Sequence, residues 1–203
     1  QRSHVDRLVA AYSVLRQHDP SIDPTVASMV EAIPAGWLYS VVTPDRSLVV
    51  ALFTDSDLLP GRSTTSLDWW RKTLASGQMT GRRIDSAGYG IESPPRVVDA
   101  STRFSVPLAT TRWLTAGDAA ASFDPLSSHG MTTALWSGRT AAEAADQCLS
   151  DDFDGIERYA ASFRSGVERY LRDRLHRYTL EQRFMNCPFW QRRHAGLDST
   201  VSE

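Results

Sequence analysis

Three segments in the first quarter of the chain combine valine and aromatic residues in short apolar runs. They are VASMVEAI (residues 26–33), GWLYSVVT (36–43) and SLVVALFT (47–54). The tripeptides PAG and PDR separate them, and such breaks are typical of turns between strands. The pattern therefore predicts an antiparallel β-meander. In residues 5–16 the apolar positions fit a helix nearly as well as a strand, and periodicity leaves that choice open.

Helical patterns dominate the rest of the chain. LDWWRKTLAS (67–76) follows a Ser/Thr cluster that can cap a helix and stops before Gly77. Its two adjacent tryptophans cannot both face inward. Residues 129–149 and 152–184 predict two long helices, the second amphipathic. Its apolar positions are Ile156, Tyr159, Phe163, Val167, Tyr170 and Leu171.

The region between the first helix and the two long ones is less regular. Residues 80–110 predict irregular strands, with a Pro-Pro pair fixing a turn before RVVDAS. RWLTAG (112–117) predicts one more buried strand. The whole pattern predicts an α+β fold with an antiparallel sheet and long C-terminal helices. It divides the chain into 1–110, mainly β with one helix near 66–76, then 111–147, a strand-turn-helix unit, and 148–203, a helical region.

Composition narrows the function. The 203 residues include 41% hydrophobic residues, enough for one substantial core or two small ones. A net charge of -2 argues against general nucleic-acid binding, because no excess of cations can neutralise a phosphate backbone. No apolar run reaches the roughly 18 residues of a membrane span, and no signal peptide opens the chain. From these features we expect no nucleic-acid partner and no membrane partner. We expect a cytoplasmic protein.

The cysteines and the arginines carry weaker signals. Cys148 and Cys187 show neither CxxC spacing nor a nearby histidine pair, so no metal site is expected and both thiols fit a reducing cytoplasm. The arginines of the last helix form a solvated face with some pairing to its acidic residues, or a site for an anionic partner; the sequence leaves both open. They are Arg158, Arg164, Arg169, Arg172, Arg174 and Arg177, beside Glu157, Glu168 and Asp173.

The densest local organisation lies in WLTAGDAAASFDPLSSHGMTTALWSG, residues 113–138. Gly117 permits close approach or a positive φ, and Asp118 can accept hydrogen bonds from a sugar-alcohol hydroxyl. The start of the following helix presents unpaired N–H groups and the positive end of its dipole, which favour negative charge. A plain strand-turn-helix connection with aspartate as a cap would use the same residue types.

This stretch combines GDAA, then DPLSSxG, then an Ala-rich helix containing SG and AA. The combination closely resembles the second FAD-binding fingerprint of the flavoprotein monooxygenase and tryptophan halogenase-like superfamily. The resemblance implies that Asp118 binds the ribityl chain of FAD, while the loop and helix start border the flavin ring. His129 could serve as a general acid or base there, or simply fill space. The implied cofactor-binding set is Gly117, Asp118, Asp124, Pro125, Leu126, Ser127, Ser128, His129, Gly130 and Met131.

The resemblance covers nearly the whole chain. GWLYSVVTPDRSLVVALFTDSDLL is similar to the central sheet segment of halogenase-like flavoproteins, which implies that Trp37 and Tyr39 lie on the substrate side. EQRFMNCPFWQRRH resembles the tail of the same subgroup. Among its branches, the chain looks most like flavoproteins that modify peptides or proteins, such as maturation factors for quinone-cofactor amine oxidases.

Two departures from the pattern qualify the expectation. The GxGxxG unit that binds the FAD pyrophosphate is absent, and Gly88-Tyr89-Gly90 runs into Pro94-Pro95 and cannot start the required helix. With glutamine as residue 1, this predicts the C-terminal portion of a flavoprotein, whose partner is the missing N-terminal part. The halogenase motif GWxWxIP is also altered, because its second tryptophan is tyrosine here and its proline is displaced.

The sequence therefore predicts a flavin-dependent oxidoreductase that acts on a small organic or peptidyl substrate with FAD, present as a C-terminal fragment. Two alternatives stay open. One is a flavin-dependent halogenase. The other is a non-catalytic fragment that binds a partner chain without flavin.

Overall fold

The computed structural model describes residues 2–61 and 66–195, which fold into two compact units. The helical unit comprises Gln1–Arg7 and Ala100–Leu180, and the sheet unit comprises Leu8–Asp99 and Glu181–Glu203. In chain order the elements are β1 (Arg2–His4), β2 (Leu8–Gln17), β3 (Met29–Ile33), β4 (Gly36–Val42), β5 (Leu48–Asp55), α1 (Leu67–Ser76), α2 (Gln78–Ser86), β6 (Tyr89–Gly90), β7 (Arg96–Asp99), β8 (Arg103–Ser105), β9 (Ala109–Thr110), β10 (Trp113–Leu114), β11 (Ala121–Ser122), α3 (Gly130–Leu149), α4 (Asp154–Thr179) and α5 (Pro188–Ala195).

This content confirms the predicted α+β class with antiparallel sheets and long C-terminal helices. The predicted division into 1–110, 111–147 and 148–203 stays a prediction. Residues 196–203 of its last part lie outside the described residues. Over the described ranges, no helix combines the length and the apolar character that crossing a bilayer requires.

The predicted meander forms the main sheet of the sheet unit. Its strand order is β3-β4-β5-β2-β6, with β7 also paired to β2, and all pairings are antiparallel. The segment that periodicity left open is therefore a strand, since β2 pairs with β5 along eight positions from Leu8 opposite Asp55 to Leu15 opposite Leu48. Cross-strand contact with β5 decides what local periodicity could not.

Helices α1 and α2 cover one face of this sheet. Ser66 caps α1, accepting a 3.4 Å hydrogen bond from Trp69, while residues 62–65 of the expected capping cluster lie outside the described residues. Trp70 is fully buried and Trp69 only partly, as the adjacent pair predicted. The buried cluster consists of Ala11, Leu15, Ile33, Leu38, Leu48, Val50, Leu52, Trp70, Leu74, Ile84, Ala87 and Tyr89.

The expectation of irregular strands from residue 80 is wrong for residues 80–86, which belong to α2. Glu31, on the neighbouring strand β3, accepts hydrogen bonds from the first amides of this helix: Met79 N at 2.9 Å and Thr80 N at 2.8 Å. This cap comes from a residue 48 positions away, so local sequence could not reveal it.

Helix α5 closes the sheet unit. Trp190 Nε1 donates to Ile33 O at 2.8 Å, and Arg193 Nη2 donates to Asp55 Oδ1 at 2.7 Å. The guanidinium also lies 3.5 Å from the centroid of the Phe189 ring. Arg193 and Asp55 are both buried, so the C-terminal segment is tied to the end of β5 by a buried ion pair.

In the helical unit, β1, β8 and β11 form a small antiparallel sheet, and β9 pairs with β10. The two long helices pack together through small residues of α3 against aromatic residues of α4, with Ala141, Ala144, Tyr159 and Phe163 in the buried cluster. The expectation of a buried strand over 112–117 is wrong. Only Trp113–Leu114 is a strand, and Trp113 is 44% exposed, because it pairs only with the two-residue β9.

Candidate functional site

The Gly-Asp turn lies where the helical unit reverses direction before β11. Gly117 has a φ of +56°, a left-handed conformation that glycine adopts without steric cost, in agreement with the prediction. Its amide donates a 2.9 Å hydrogen bond to Ser137 Oγ, and Ser137 is fully buried on α3. The serine of the SG pair in the Ala-rich helix thus holds the turn in place.

The turn presents Asp118 to solvent. Asp118 is exposed, and within residues 2–61 and 66–195 no side chain or backbone group bonds to its carboxylate. A free carboxylate beside a rigid turn can accept hydrogen bonds from hydroxyl groups of a ligand.

The Asp-Pro loop forms a second tight turn. Pro125–Ser127 is a single 3-10 turn, and Ser128 follows in the left-handed region with a φ of +56°. The loop satisfies its first amides internally: Leu126 N donates to Asp124 Oδ1 at 3.0 Å, and Ser127 N donates to Asp124 O at 3.1 Å. Asp124 therefore organises the loop from within.

The amides at the start of α3 remain available. Among the described residues, the N–H groups of Gly130, Met131 and Thr132 have no acceptor, as is usual in the first turn of a helix. The added Cβ of an alanine at position 130 would meet no atom within 4 Å, so the backbone there is open. Three amides and the positive end of the helix dipole thus face outward, an arrangement that favours negative charge.

The ten predicted cofactor-binding residues divide by exposure. Asp118, Pro125, Ser128, Gly130 and Met131 are exposed, and Gly117, Leu126 and His129 are half-buried. Asp124 and Ser127, by contrast, are buried. We call the exposed members, with the half-buried Gly117 and Leu126, the loop surface. Asp124 and Ser127 are buried beneath it, and the ring of His129 is turned towards α4.

A buried charged network surrounds Asp124. Arg174 Nε and the Tyr178 hydroxyl both donate to Asp124 Oδ2, at 3.1 and 2.6 Å, and Tyr170 Oη accepts from Asp124 N at 2.8 Å. Arg174 Nη2 also donates to Asp6 Oδ2 at 2.8 Å, so the guanidinium bridges two carboxylates. These contacts fix both the side chain and the backbone of Asp124.

The electrostatics of the network follow from its burial. Burial alone disfavours the charged guanidinium, but Asp124 and Asp6 outweigh it, and the pKa of Arg174 is raised. Burial raises the pKa of Tyr170 to about 12, so its phenol stays neutral at physiological pH. The network therefore holds the Arg174 guanidinium between two carboxylates, with two tyrosine hydroxyls completing the hydrogen bonds around Asp124.

His129 faces the interior of the helical unit. Its ring lies edge-on to Tyr170, with the ring centroids 6.3 Å apart. Among the described residues, its buried Nδ1 has no hydrogen-bond partner. The ring lines a cavity of about 350 Å³ between α3 and α4, with Phe123, Thr133, Trp136, Phe163, Tyr170 and five further α4 residues. Its role in catalysis stays a prediction.

The two residues expected on the substrate side belong to the sheet unit. Trp37 and Tyr39 are two positions apart on β4, so their side chains lie on the same face of the sheet. Trp37 is only 2% exposed and stacks on Phe53 with 4.0 Å between ring centroids, while Tyr39 is half-buried. A substrate could contact Tyr39 more readily than Trp37, and both roles stay predictions.

The residues beneath the loop did not follow from the sequence. Arg174 was expected on a solvated face or in a site for an anionic partner, yet its side chain is only 11% exposed and pairs with Asp6 and Asp124, while the other five arginines of α4 are exposed. Tyr170, Arg174 and Tyr178 recur at four-residue spacing, which puts them on one face of α4. That stripe of long side chains with polar tips was the available signal.

The described residues offer no group of three or more His, Cys, Asp and Glu side chains that could hold a metal ion. Cys148 and Cys187 are both free thiols.

Comparison with known proteins gives no match to any protein-family model. A curated relative, named "Putative FAD-dependent oxidoreductase LodB", from Marinomonas mediterranea, is 28% identical over 192 residues, which cover 94% of this chain and 50% of that protein. The chain therefore spans about half the length of the curated relative it matches.

Two solved structures share the fold. CmlS, a flavin-dependent halogenase, matches with a TM-score of 0.78 and 23% identity over 95% of this chain and 36% of its own. QhpG, a peptidyl tryptophan dihydroxylase essential for tryptophylquinone cofactor biogenesis, matches with a TM-score of 0.66 and 22% identity over 93% of this chain and 43% of its own. The fingerprint indicated a similarity to halogenase-like flavoproteins. The fold shared with CmlS and the relative named for FAD dependence confirm that similarity.

Proposed function

We propose that this chain supplies the C-terminal part of an FAD-dependent oxidoreductase, in which the loop surface holds the flavin. The observation that carries the proposal is that the Gly117 turn, which bears the exposed Asp118, is bonded through Ser137 to α3, the helix whose first three amides have no acceptor among the described residues. The named relative and the shared fold support it. The FAD pyrophosphate would bind to an N-terminal part of the protein outside these residues.

Each group of the loop surface fits one part of the cofactor. Asp118 would accept hydrogen bonds from ribityl hydroxyls, because its carboxylate has no competing partner among the described residues. Gly130 would let the ring approach the main chain, and the open amides of residues 130–132 would stabilise negative charge on its pyrimidine edge. When bound, the flavin supplies the redox chemistry, which these groups tune electrostatically.

For the substrate, we propose a small organic molecule or a peptidyl side chain that is oxygenated or dehydrogenated. The support is the relative named an oxidoreductase and the shared fold with a peptidyl tryptophan dihydroxylase. Tyr39 would contact the substrate, since it is the less buried of the two residues on its sheet face. The two free thiols fit the cytoplasm, where we place the protein.

Halogenation is a second candidate, favoured by the fold shared with CmlS at a TM-score of 0.78. Against it stands the altered motif, in which Tyr39 replaces the second tryptophan and Pro44 is displaced.

The test is the visible spectrum of the full-length protein encoded by the gene, purified without added cofactor and again after incubation with FAD. Bound oxidised flavin absorbs near ~450 nm, and we expect that band together with its bleaching by a reductant and its return in air. A protein that stays colourless with added FAD refutes the proposal and favours a non-catalytic, partner-binding chain. Product analysis with and without bromide or chloride then separates halogenation from oxygenation.

A further inference from the structure

We propose that Tyr170, Arg174 and Tyr178 are positioning residues of the flavin site, acting on the loop surface through Asp124. The inference rests on the proposed function and extends it to residues that touch no cofactor. In this proposal, α4 sets the conformation in which the loop contacts the flavin.

Helix α4 presents three long side chains on one face. Residues 170, 174 and 178 are each four positions apart, so their side chains leave the helix along one face. All three point at one residue: Tyr170 bonds to the backbone amide of Asp124, while Arg174 and Tyr178 both bond to Oδ2 of its carboxylate. Three contacts from one rigid helix leave Asp124 a single orientation.

Asp124 in turn holds the loop that follows it. Its other carboxylate oxygen, Oδ1, accepts from Leu126 N, and its carbonyl oxygen accepts from Ser127 N and from Ser127 Oγ at 2.8 Å. Ser127 Oγ in turn accepts from His129 N at 3.3 Å. The turn that precedes α3 is therefore built on Asp124, and its orientation decides where the open amides of α3 point.

The contacts of Arg174 with Asp124 and Asp6 are ion pairs. Arg174 and Asp124 are nearly inaccessible to solvent, and Asp6 completes the charge balance. Replacing a buried ion pair by apolar residues of similar volume is often neutral or even stabilising, so stability of the fold alone does not account for this one. Here the pair fixes the side chain on which the turn before α3 is built. A positioning role predicts effects on the loop and the flavin that exceed any effect on the rest of the fold.

The experiment uses the full-length protein and two shape-conserving variants. Tyr178→Phe removes one hydrogen bond to Asp124, and Arg174→Lys keeps the charge but removes the planar group that bridges two carboxylates. Arg172→Lys, an exposed arginine on the same helix, is the matched control. Hydrogen exchange of peptides spanning residues 125–131 is measured without flavin, and FAD affinity and the absorption spectrum of bound flavin are measured separately.

We expect exchange in residues 125–131 to be about tenfold faster in both variants, with β4 and β5 unchanged, because local opening costs less once Asp124 is loosened. We also expect FAD to bind about three- to tenfold more weakly with a shifted absorption band, while Arg172→Lys resembles the wild type.

Unchanged exchange in both variants overturns the inference, and so does faster exchange with unaltered affinity and spectrum, since the network would then serve stability alone. A wild-type protein that binds no FAD refutes the proposed function and the flavin-directed role together. The exchange data then decide separately whether α4 holds the loop.

Discussion

The hydroxyl of Tyr178 donates a 2.6 Å hydrogen bond to Oδ2 of Asp124, a residue 54 positions earlier in the chain. Asp124 belongs to the DPLSSHG stretch that carries the flavin fingerprint, whereas Tyr178 lies near the end of the longest helix. The contact links the fingerprint to a helix that has no place in the motif. It also explains why the two aspartates of the fingerprint have different environments, one exposed and one fully buried.

Removing the buried carboxylate should destabilise the helical unit strongly. Asp124→Ala leaves Arg174 and Tyr178 buried without their shared acceptor, and breaking a buried charged network in this way costs about 3–5 kcal/mol. Urea unfolding followed by circular dichroism measures the change. Glu143→Ala, which breaks the exposed pair with Arg139, is the control and should cost at most about 0.5 kcal/mol. Equal costs for the two variants would show that the network contributes little.

The two glycines of the fingerprint should respond differently to alanine. Gly117→Ala places a side chain in the left-handed region and should cost about 1–2 kcal/mol, although its Cβ would meet Ala134 at an ordinary 3.5 Å. Gly130→Ala meets open space in the first turn of α3, so its stability should stay within about 0.5 kcal/mol of the wild type. Its FAD affinity should fall, because the methyl group occupies the path of the ring. Thermal unfolding and FAD titration of both variants check this, and a neutral Gly117→Ala would contradict the backbone argument.

Stability should fall at alkaline pH because of Tyr170. Its phenol ionises near pH 10 when unfolded, but burial raises its pKa to about 12 in the folded protein. The stabilisation is fully present below pH 10 and is lost as pH rises towards 12, since only the unfolded state releases the proton in that window. Near pH 11 the loss from this residue should be about 1.4 kcal/mol. Unfolding experiments near pH 9 and pH 11 should show a smaller decrease for Tyr170→Phe than for the wild type; equal decreases would contradict the assignment.

In the sheet unit, α5 should depend strongly on its buried ion pair. Arg193→Leu removes the buried one of the two α5 arginines that pair with Asp55, together with the contact with the Phe189 ring, and leaves only the more exposed Arg192 on that carboxylate. The cost should be about 1.5–3 kcal/mol. Limited proteolysis should then cut α5 at a lower protease concentration than in the wild type. Arg183→Leu breaks the pair between the exposed Arg183 and the half-buried Glu181, outside α5, and should leave the cleavage pattern unchanged. Protection of α5 in both variants would show that Trp190 and Arg192 hold the helix without Arg193.

Sequence alone predicted the elements whose stabilising contacts are local or periodic. The meander, α1 and the two long helices were correct because alternation and helical spacing record the faces that these elements bury. Helix α2 was missed because QMTGRRIDS buries only Thr80 and Ile84, and its N-terminal cap is Glu31 on another strand. Helix α4 ends at Thr179, five residues before its predicted end.

At the candidate site, the sequence indicated local backbone geometry inside the contiguous motif. The left-handed conformation of Gly117 is one that the residue type permits. The network beneath the loop did not follow from the motif, because Asp6 and Arg174 are 168 positions apart and only the folded chain brings them together. Spacing puts Tyr170, Arg174 and Tyr178 on one face of α4, but the low exposure of Arg174 depends on its contacts with Asp124 and Asp6, which spacing alone does not show.

The most direct test of the flavin assignment is the dissociation constant of FAD from the full-length protein, measured by flavin fluorescence for the wild type and Asp118→Ala. Loss of charge-assisted hydrogen bonds to the ribityl chain should weaken binding about 10- to 100-fold. Asp146→Ala, an exposed aspartate on α3, is the control and should match the wild type. Equal dissociation constants for Asp118→Ala and the wild type would contradict the account.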